Sequence, residues 1–267
     1  MLINVHRLGA AVCVLVMCGL GDALAQSSLG TAQSFAVLAG SAVTNTGPSL
    51  ITGDLGVHPG SAVTGFPPGI VTGTIHAADA TALQAKTDLV GQYNALTAAA
   101  CTSNLTGQNL GNRTLTPGVY CFDSSAQLTG TLTLNAQGDP VAQFIFKTGS
   151  TLTTASGSSV LLINGGNPCR VAWRIGSSAT LGTTTSFIGN LIALTSITLT
   201  TDANIIGRAL ARNGAVTLDS NDITFAACGG VVPPVPTLSQ WMTIGLAGLL
   251  CLTGVLALRR RQQAVRS

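Results

Sequence analysis

Three aspartates near the carboxyl end of the chain come closest to a cluster of chemically active side chains. Asp202 lies in the tetrapeptide TDAN, and Asp219 and Asp222 begin and end the tetrapeptide DSND. Grouped carboxylates can bind Ca²⁺ or supply the acid and base of polysaccharide cleavage. Aspartate and asparagine in such short polar stretches are also typical of turns. We favour the turn interpretation over a catalytic or calcium site.

Other patterns that carry chemistry are missing from the sequence. After the first 25 residues the histidines are His58 and His76, so few nucleophiles can have a base beside them. The sequence contains no GxSxG, no phosphate-binding glycine loop, no HExxH and no CxxC. We therefore predict no catalytic residue, no metal site and no cofactor, so that the protein is not an enzyme.

Threonine supplies the remaining chemistry, which is hydrogen bonding by a hydroxyl that sits beside a methyl group. Threonines alternate with aliphatic residues in several short runs, such as SITLT at 196–200. Successive side chains of a strand point to opposite sides, so the aliphatic residues face a core and the threonines face outward. The threonines that we predict to form one outer surface are Thr129, Thr131, Thr133, Thr151, Thr153, Thr180, Thr198, Thr200 and Thr217.

The spacing of these runs predicts a repeating β architecture. Residues 141–225 divide into four similar segments, in which Leu152, Leu181, Leu199 and Leu218 hold the same place. Their spacings are 29, 18 and 19 residues, which indicates an insertion near 164–170. The pentapeptide GSAVT also occurs at 40–44 and at 60–64. Short strands at such a period are typical of a β-solenoid, in which each coil stacks on the previous one.

Stacking the segments by their leucines predicts how the threonines line up. In that alignment Thr151, Thr180, Thr198 and Thr217 form one outward row, and Thr153 and Thr200 belong to a second row. Threonines two apart on a strand are ~6.7 Å apart, and neighbouring coils are ~4.8 Å apart. This mesh of methyls and hydroxyls is close to the oxygen spacing on planes of ice. Threonine is also common on solvent-facing strands, but such faces ordinarily contain Lys, Glu and Arg as well.

One stretch of the chain predicts a helix rather than strands. Residues 77–100 are rich in Ala, Leu, Gln and Lys, and Leu83, Val90, Tyr93 and Leu96 recur at near-helical spacing. Some strand segments, such as FIF at 144–146, are apolar on both faces and need cover on both sides. We therefore expect an all-β-dominated fold with one long amphipathic α-helix that lies lengthwise along that wall.

Both ends of the chain have the pattern of targeting segments. His6 and Arg7 precede an apolar run that ends near ALA at 23–25, which predicts a signal peptide over 1–25. The uncharged run 241–258 is followed by arginines at 259–261, which predicts a transmembrane segment with a basic cytoplasmic tail over 259–267. The alternative for the second run is a buried core helix. Residues 231–240 form a Gly/Pro/Val-containing linker, and the folded domain is expected over 27–230.

Charge and cysteine content limit the environment and the partners of this domain. Residues 27–230 contain seven Lys or Arg, eight Asp and no Glu, so no basic patch favours nucleic-acid binding. Four cysteines, Cys101, Cys121, Cys169 and Cys228, suggest two disulfides in an exported protein. Three pairings are possible, and we favour Cys101–Cys121 with Cys169–Cys228, because each would close one irregular section.

Several segments together resemble a known family. The segments LGTAQSFAVLAGSAVTNTG near the start, LTPGVYCF at 115–122, GSTLTTASGS and GRALARNGAVTLD are similar to the bacterial and fungal ice-binding proteins known by the label DUF3494. The resemblance covers residues 29–228. It implies a discontinuous right-handed β-solenoid of triangular section, with one long helix alongside, that binds ice through one flat face.

A second resemblance concerns the end of the chain. The segment VPTLSQW at 235–241 is similar to IPTL-type C-terminal sorting signals of Gram-negative bacteria, with Val235 in place of Ile. The similarity implies that a sorting protease processes the chain after the membrane has held it by the C-terminal segment. The expected location is the cell surface, the outer membrane or the extracellular medium of a Gram-negative bacterium.

The sequence as a whole predicts an exported protein whose partner is the surface of an ice crystal. It would act by adsorption of the flat threonine face, as an antifreeze or an inhibitor of ice recrystallisation. The alternative is a cell-surface adhesin or matrix protein that has the same fold without ice activity. A carbohydrate-active enzyme is disfavoured because the acid and base pair is missing.

Overall fold

Short parallel strands and one helix make up residues 29–225, which are the residues that this computed structural model describes. The helix α1 is Ala80–Ala98, and 3₁₀ turns occupy Gly30–Ser34 and Pro168–Arg170. In chain order the strands of this part are β1 Phe35–Ala39, β2 Ala42–Thr46, β3 Leu50–Thr52, β4 Asp54–Val57, β5 Ala62–Thr64, β6 Ile70–Val71, β7 Ile75–Ala77, β8 Ser103–Asn104, β9 Arg113–Leu115, β10 Gly118–Phe122, β11 Ala126–Leu128, β12 Thr131–Asn135, β13 Phe144–Thr148, β14 Leu152–Thr154, β15 Ser159–Ile163, β16 Val171–Ile175, β17 Ala179–Leu181, β18 Ser186–Ala193, β19 Ile197–Leu199, β20 Asn204–Ala211, β21 Val216–Asp219 and β22 Asp222–Thr224.

Parallel pairing between successive coils arranges these strands of residues 29–225 in three walls. The threonine wall is the seven-stranded sheet in the order β11-β14-β17-β19-β21-β2-β5. The helix-covered wall runs β8-β10-β13-β16-β18-β20-β1-β4-β7, and the third wall runs β9-β12-β15-β18-β20-β22-β3-β6. The long strands β18 and β20 belong to both of the latter walls, because each turns a corner in its middle.

Glycine makes that corner possible. Gly189 and Gly207 are partner residues of β18 and β20, with φ values of 115° and 147°. A Cβ on Gly207 would lie 2.0 Å from the carbonyl oxygen of Gly189, so a side chain at this position would collide with the next coil. The positive φ is also unfavourable for any other residue. The two glycines therefore let consecutive coils bend at the same place and stay stacked.

The coils do not follow one another in chain order. The first coil pairs β1 with β20 and β2 with β21, so the amino-terminal residues stack on the coil that is last in the described chain. The next coil, with β5, β6 and β7, forms that end of the solenoid, and β8, β9 and β11 form the other end. Helix α1 connects the two ends. This is the discontinuous arrangement expected from the sequence, and the predicted β-solenoid with one helix alongside is confirmed.

The helix has a length that fits this connection. Nineteen residues at ~1.5 Å each give ~28 Å, and nine strands ~4.8 Å apart span ~38 Å. The extended residues between β7 and the helix and between the helix and β8 cover the difference. Asp79 caps the amino terminus by accepting a hydrogen bond from the Ala82 amide at 2.8 Å, and Lys147 donates to the carbonyls of Thr97 and Ala99 at the other end.

Two of the four apolar residues that predicted the helix, Tyr93 and Leu96, are buried, and the other two are not. Leu83 is 49% exposed and Val90 is half-buried, whereas Ala85, Leu89 and Tyr93 are buried. They pack against residues such as Ile192 and Leu210, which point outward from the helix-covered wall. The helix lies on the predicted wall, and its buried face combines two alanines, Ala82 and Ala85, with larger side chains.

Aliphatic and aromatic side chains fill the interior of the coils. A ladder of rings from four successive strands runs through the core, with centroid distances of 5.5 Å for Tyr120–Phe146, 3.9 Å for Phe146–Trp173 and 4.8 Å for Trp173–Phe187. A disulfide joins Cys101 and Cys121, which confirms that predicted pairing. Cys169 is also disulfide-bonded.

Several predicted features lie outside the described residues. These are Cys228, the signal peptide over 1–25, the linker over 231–240, the transmembrane segment over 241–258 and the basic tail. Within residues 29–225, α1 is too polar to qualify as a membrane-spanning helix.

Candidate functional site: the threonine wall

One continuous row of side chains runs down the middle of the threonine wall. Each member is the register partner of the next, from one end of the sheet to the other. In order along the wall this middle row is Gln127, Thr153, Thr180, Thr198, Thr217, Thr44 and Thr64. Six threonines at a spacing of ~4.8 Å give an unbroken line of ~24 Å.

Alternation along each strand forces the middle row outward. Ile197 and Leu199, on either side of Thr198, are 0% and 1% exposed and belong to the main core. The same holds for Val216 and Leu218 around Thr217. Turning either of these two strands over would bury a hydroxyl and expose two aliphatic side chains, so the core holds their threonines in place.

Shorter side chains flank the row on its amino-terminal side. Two residues before each middle position stand Ser125, Thr151, Ser178, Ser196, Ala215, Ala42 and Ala62. None of them is larger than threonine, so this part of the wall is low and level beside the middle row. Here Thr151 donates a hydrogen bond to the Ser125 hydroxyl at 2.8 Å.

The carboxyl-terminal flank is uneven. Two residues after each middle position stand Thr129, Ala155, Gly182, Thr200, Asp219, Thr46 and Phe66. The set has no side chain at Gly182, the charge of Asp219, and at one end Phe66, which is half-buried against the core. The flat part of the wall is therefore the middle row with its amino-terminal flank.

The hydroxyls of the middle row are available to solvent. Within residues 29–225, the side chains of Thr64, Thr153, Thr180 and Thr198 make no hydrogen bond to the protein. The hydroxyls of the remaining pair lie 3.4 Å apart, with Thr44 donating to Thr217. Each free hydroxyl can donate one hydrogen bond to water and accept two.

Two of the three threonine hydroxyls on the carboxyl-terminal flank, those of Thr129 and Thr200, are already engaged. Thr200 donates to the carbonyl of Leu181 at 2.8 Å, and Asn109 donates to the Thr129 hydroxyl at 3.1 Å. Asp219 accepts hydrogen bonds from Thr201 and Ser220 in the adjoining turn. The middle row thus differs from this flank in bonding as well as in shape.

The predicted alignment of two threonines was wrong. Thr153, not Thr151, is the partner of Thr180, so Thr153 lies in the middle row and Thr151 in the amino-terminal flank. Thr180, Thr198 and Thr217 share a row as expected, and Thr200 lies outside it. A displacement of two residues leaves every side chain on its original face, so the alternation of residue types could not reveal it.

Two predicted site residues lie on a different wall. Gly130, with φ of 90°, turns the chain after β11, and Thr131 and Thr133 belong to β12 of the third wall. Thr129 stays at the edge of the threonine wall. The alternation of threonine and leucine continues through the corner, because both walls bury their side chains toward the same core. The sequence therefore gave no sign of the change of wall.

Two members of the middle row were missing from the predicted set. Thr44 and Thr64 occupy the last two positions of the row. The signal was present, because the repeated GSAVT pentapeptides match Ala215-Val216-Thr217. The stacking of the first coil on the last makes these distant segments one surface.

The aspartates and the histidines do not form a site of another kind. Within residues 29–225, no group of three or more His, Cys, Asp or Glu side chains could hold a metal ion. Asp202 has a φ of 59° and Ser220 a φ of 58°, and such left-handed backbone conformations are typical of tight turns. Nδ1 of His76 lies within hydrogen-bond distance, 2.7 Å, of a carboxylate oxygen of Asp79 beside the start of the helix.

The third wall is the natural comparison for the threonine wall. Its central outward residues include Leu161 and Ile206, which are 48% and 49% exposed, and Ile188 is the partner of Ile206. Threonines such as Thr133 and Thr224 flank this aliphatic stretch. The third wall therefore has the same coil spacing but no continuous row of threonine.

A solenoid of three walls with one flat threonine face defines a class of protein. The family model described as "Ice-binding-like" matches residues 37–224, and the chain belongs to this family. The match covers nearly all of the residues that the structure describes.

Individual relatives agree with the family match. An ice-binding protein of Nostoc sp. (strain HG1) is 60% identical over 230 residues, which cover 84% of this chain and 85% of that protein. The crystal structure of an ice-binding protein from an Antarctic biological consortium is 50% identical, with a TM-score of 0.73 over 74% of this chain and 90% of that one. The ice-binding protein of the Antarctic ascomycete Antarctomyces psychrotrophicus is 43% identical, with a TM-score of 0.72 over 74% and 97%.

Proposed function

We propose that this protein binds ice through the threonine wall and thereby restrains the growth and recrystallisation of ice crystals. The observation that carries the proposal is the middle row, in which six threonines in register present hydroxyls that the protein leaves largely unbonded. Membership of the ice-binding-like family supports it.

The mechanism is adsorption, and it requires no catalytic residue and no cofactor. Methyl groups on a flat face favour ordered water between them, and the hydroxyls anchor that water by hydrogen bonds. Neighbouring strands of the wall are ~4.8 Å apart, and outward residues two apart along one strand are ~6.7 Å apart. These spacings allow the ordered layer to join the lattice of a crystal. Because the parallel ladder and the core hold the threonines in place, little conformational entropy is lost when ice binds.

The adhesin alternative has less support. Protein-binding surfaces are typically rich in Tyr, Trp, Phe and Arg. Among the outward positions of the threonine wall in residues 29–225, Asp219 is the one charge, and the aromatic Phe66 at the end of the wall is half-buried against the core. Such a surface is poorly suited to a protein partner and well suited to ordered water.

Substitution of Thr198 by Tyr tests the proposal most directly, because Thr198 is central in the middle row. The ring would stand above its neighbours and hold an ice surface away from them. The side chain points to solvent, so the free energy of unfolding should change by only about ±0.5 kcal/mol. Thermal hysteresis and recrystallisation inhibition should fall to a small fraction of the unsubstituted level.

The matched control is Ile206→Tyr, which adds the same ring at the centre of the third wall, where Ile206 is 49% exposed. We expect this variant to keep full ice activity. Full activity in both variants would place the active face elsewhere, and equal loss in both would contradict an active face limited to the threonine wall. An unsubstituted protein without any ice activity would end the proposal and favour the adhesin alternative.

We further propose that the protein is exported and that its C-terminal segment is removed by a sorting protease. The disulfide between Cys101 and Cys121 supports an oxidising compartment. Mass spectrometry of protein from the cell surface should find a start near residue 26 and loss of the segment after about residue 241. Intact termini on a cytoplasmic species would contradict export and sorting without affecting the ice-binding proposal.

A further inference from the structure

Three cations lie near one another on the outward side of the helix-covered wall. Lys147 and Arg174 are register partners on β13 and β16, and their row continues through Ile192 to Leu210. Arg212 directly follows β20, two coils from Arg174 and two residues beyond Leu210. Coils stack ~4.8 Å apart and residues two apart on a strand are ~6.7 Å apart, so the backbones of Arg174 and Arg212 are ~12 Å apart. These cations border helix α1 where Tyr93 is buried.

Both arginines lie against the ring of Tyr93. The Cζ atom of Arg174 is 4.6 Å from the ring centroid, and that of Arg212 is 5.3 Å from it. The two guanidinium groups are therefore no more than about 10 Å apart. One tetrahedral oxyanion with hydrogen bonds of ~2.8 Å on each side can bridge such a distance.

The two arginines have hydrogen-bond donors to spare. Arg174 donates to the Thr97 hydroxyl and to the carbonyl of Thr148, which leaves part of its guanidinium unused. The guanidinium of Arg212 makes no hydrogen bond and no ion pair within residues 29–225. Both side chains are half-buried, so their donors are accessible at the edge of the helix.

The positive charge at this place is not neutralised by the protein. Within the described residues, no carboxylate lies in ion-pair distance of Lys86, Lys147, Arg174 or Arg212. Burial and the charge of Arg212 together lower the pKa of Lys86 to about 8, and burial and Arg174 lower that of Lys147. Four cations thus repel one another beside the helix. The eight aspartates of residues 29–225 lie elsewhere and form no ion pair with these four cations.

We propose that Arg174 and Arg212, whose guanidinium groups both contact Tyr93, form a binding site for a tetrahedral oxyanion of the phosphate or sulfate type. Guanidinium groups match such oxygens with paired hydrogen bonds, and a bound dianion would relieve the repulsion among the four cations. The anion is either free or an ester carried by a polysaccharide. The site lies on the helix-covered wall, so the inference is independent of ice binding.

Titration of the purified protein with sodium phosphate, against sodium chloride at equal ionic strength, tests the site. Side-chain Nε–Hε signals of ¹⁵N-labelled arginine should shift in a saturable way for Arg174 and Arg212. Arg212→Gln should weaken the affinity at least about tenfold, which is the loss expected for a charged hydrogen bond. The matched control is Arg113→Gln, because the Arg113 guanidinium donates to Asn109 far from the helix. That variant should bind phosphate unchanged.

Melting temperatures of both variants show whether the fold is kept. Shifts that do not saturate, or an Arg212→Gln variant that is folded and binds as well as the parent, would overturn the site. A second titration compares sulfate, dextran sulfate and neutral dextran. Tighter binding of dextran sulfate than of sulfate assigns the site to an ester on a polymer, and equal affinity per sulfate group assigns it to the free anion. Equal binding of neutral dextran would overturn the proposed chemistry.

Discussion

The hydroxyl oxygens of Thr44 and Thr217 lie 3.4 Å apart, although 173 residues separate them in the chain. The contact exists because the first coil stacks on the last described one, with Thr44 and Thr217 as register partners. The amino-terminal coils therefore lengthen the threonine wall by two strands, and they bring Thr44 and Thr64 into the middle row.

The first prediction concerns this extension. Thr44→Tyr should reduce thermal hysteresis about as strongly as Thr198→Tyr, because both rings interrupt the same row. Thr52→Tyr is the matched control, since Thr52 belongs to the same coil but points outward from the third wall. It should retain full activity. Undiminished activity of the Thr44→Tyr variant would limit the ice-binding face to the strands after the helix.

A second prediction concerns the charge on the carboxyl-terminal flank. Asp219 is the register partner of Thr46, so a charged carboxylate lies beside the middle row. Asp219→Thr should raise thermal hysteresis, while the lost hydrogen bonds to Thr201 and Ser220 should cost about 1 kcal/mol of stability. Hysteresis and urea denaturation measured on the same sample check both parts. A folded variant with lower hysteresis would show that the carboxylate assists binding.

The third prediction separates the core from the face. Leu199 is 1% exposed, so Leu199→Ala should leave a cavity and lower the free energy of unfolding by about 2–5 kcal/mol. Ice activity should persist at temperatures where the variant is folded, because the outer side chains are unchanged. Leu161→Ala removes the same atoms from a residue that is 48% exposed, and it should cost far less. Similar losses in the two variants would contradict the assigned register of the coil.

The disulfide gives a fourth prediction. Cys101 and Cys121 are 20 residues apart, and removal of a bond that closes such a loop should cost about 3 kcal/mol. The double variant Cys101→Ser, Cys121→Ser should therefore unfold at lower denaturant concentration, yet keep ice activity while folded, because the bond lies away from the threonine wall. Unchanged stability would mean that packing alone holds the residues between the helix and β10.

The fifth prediction concerns pH. Burial lowers the pKa of Lys86 to about 8, whereas the unfolded chain keeps this proton up to the ordinary value of 10.5. The unfolded state binds more protons in this window, so the free energy of unfolding should rise from about pH 8 to about pH 10. Above pH 10 the raised pKa of Tyr93 acts in the opposite direction. Lys86→Met should flatten the rise, as measured by denaturation across this range.

Lys147→Met is the control for that measurement. The pKa of Lys147 is also lowered, and in the same direction, but its side chain is less buried. The variant should keep most of the rise in stability. A rise of equal size in the Lys86→Met variant would assign the effect to other groups.

Much of the fold could be predicted because hydrophobic alternation and repeat spacing reflect it directly. The repeated GSAVT pentapeptides place Thr44 and Thr64 in equivalent positions, and the structure makes them partners. The segment at 77–100 stood out by composition alone, and α1 occupies Ala80–Ala98. The pairing of Cys101 with Cys121 followed from the need to close the irregular section after the helix.

The register of one coil could not be predicted, and buried hydroxyls explain why. Thr154 is 3% exposed, its hydroxyl lies 2.8 Å from that of Thr185, and it accepts a hydrogen bond from the amide of Gly182. A threonine that points inward was not anticipated from its type. These polar contacts align Thr153 with Thr180, whereas hydrophobic alternation alone would accept a displacement of two residues.

The stacking of β1 on β20 also sets the order in which the molecule can be completed. A ribosome or a secretion channel releases residues 35–57 first, yet their partner strands at 204–224 emerge among the last. Until then the early coil has open edges on one side, which favour wrong pairing. The protein can therefore close its solenoid only after residue 224 has been delivered. For the same reason the solenoid cannot be lengthened by adding coils at the carboxyl end, because the amino-terminal coil already occupies that edge. A longer solenoid of this kind must gain its coils from segments inserted within the chain, between the first coil and the last.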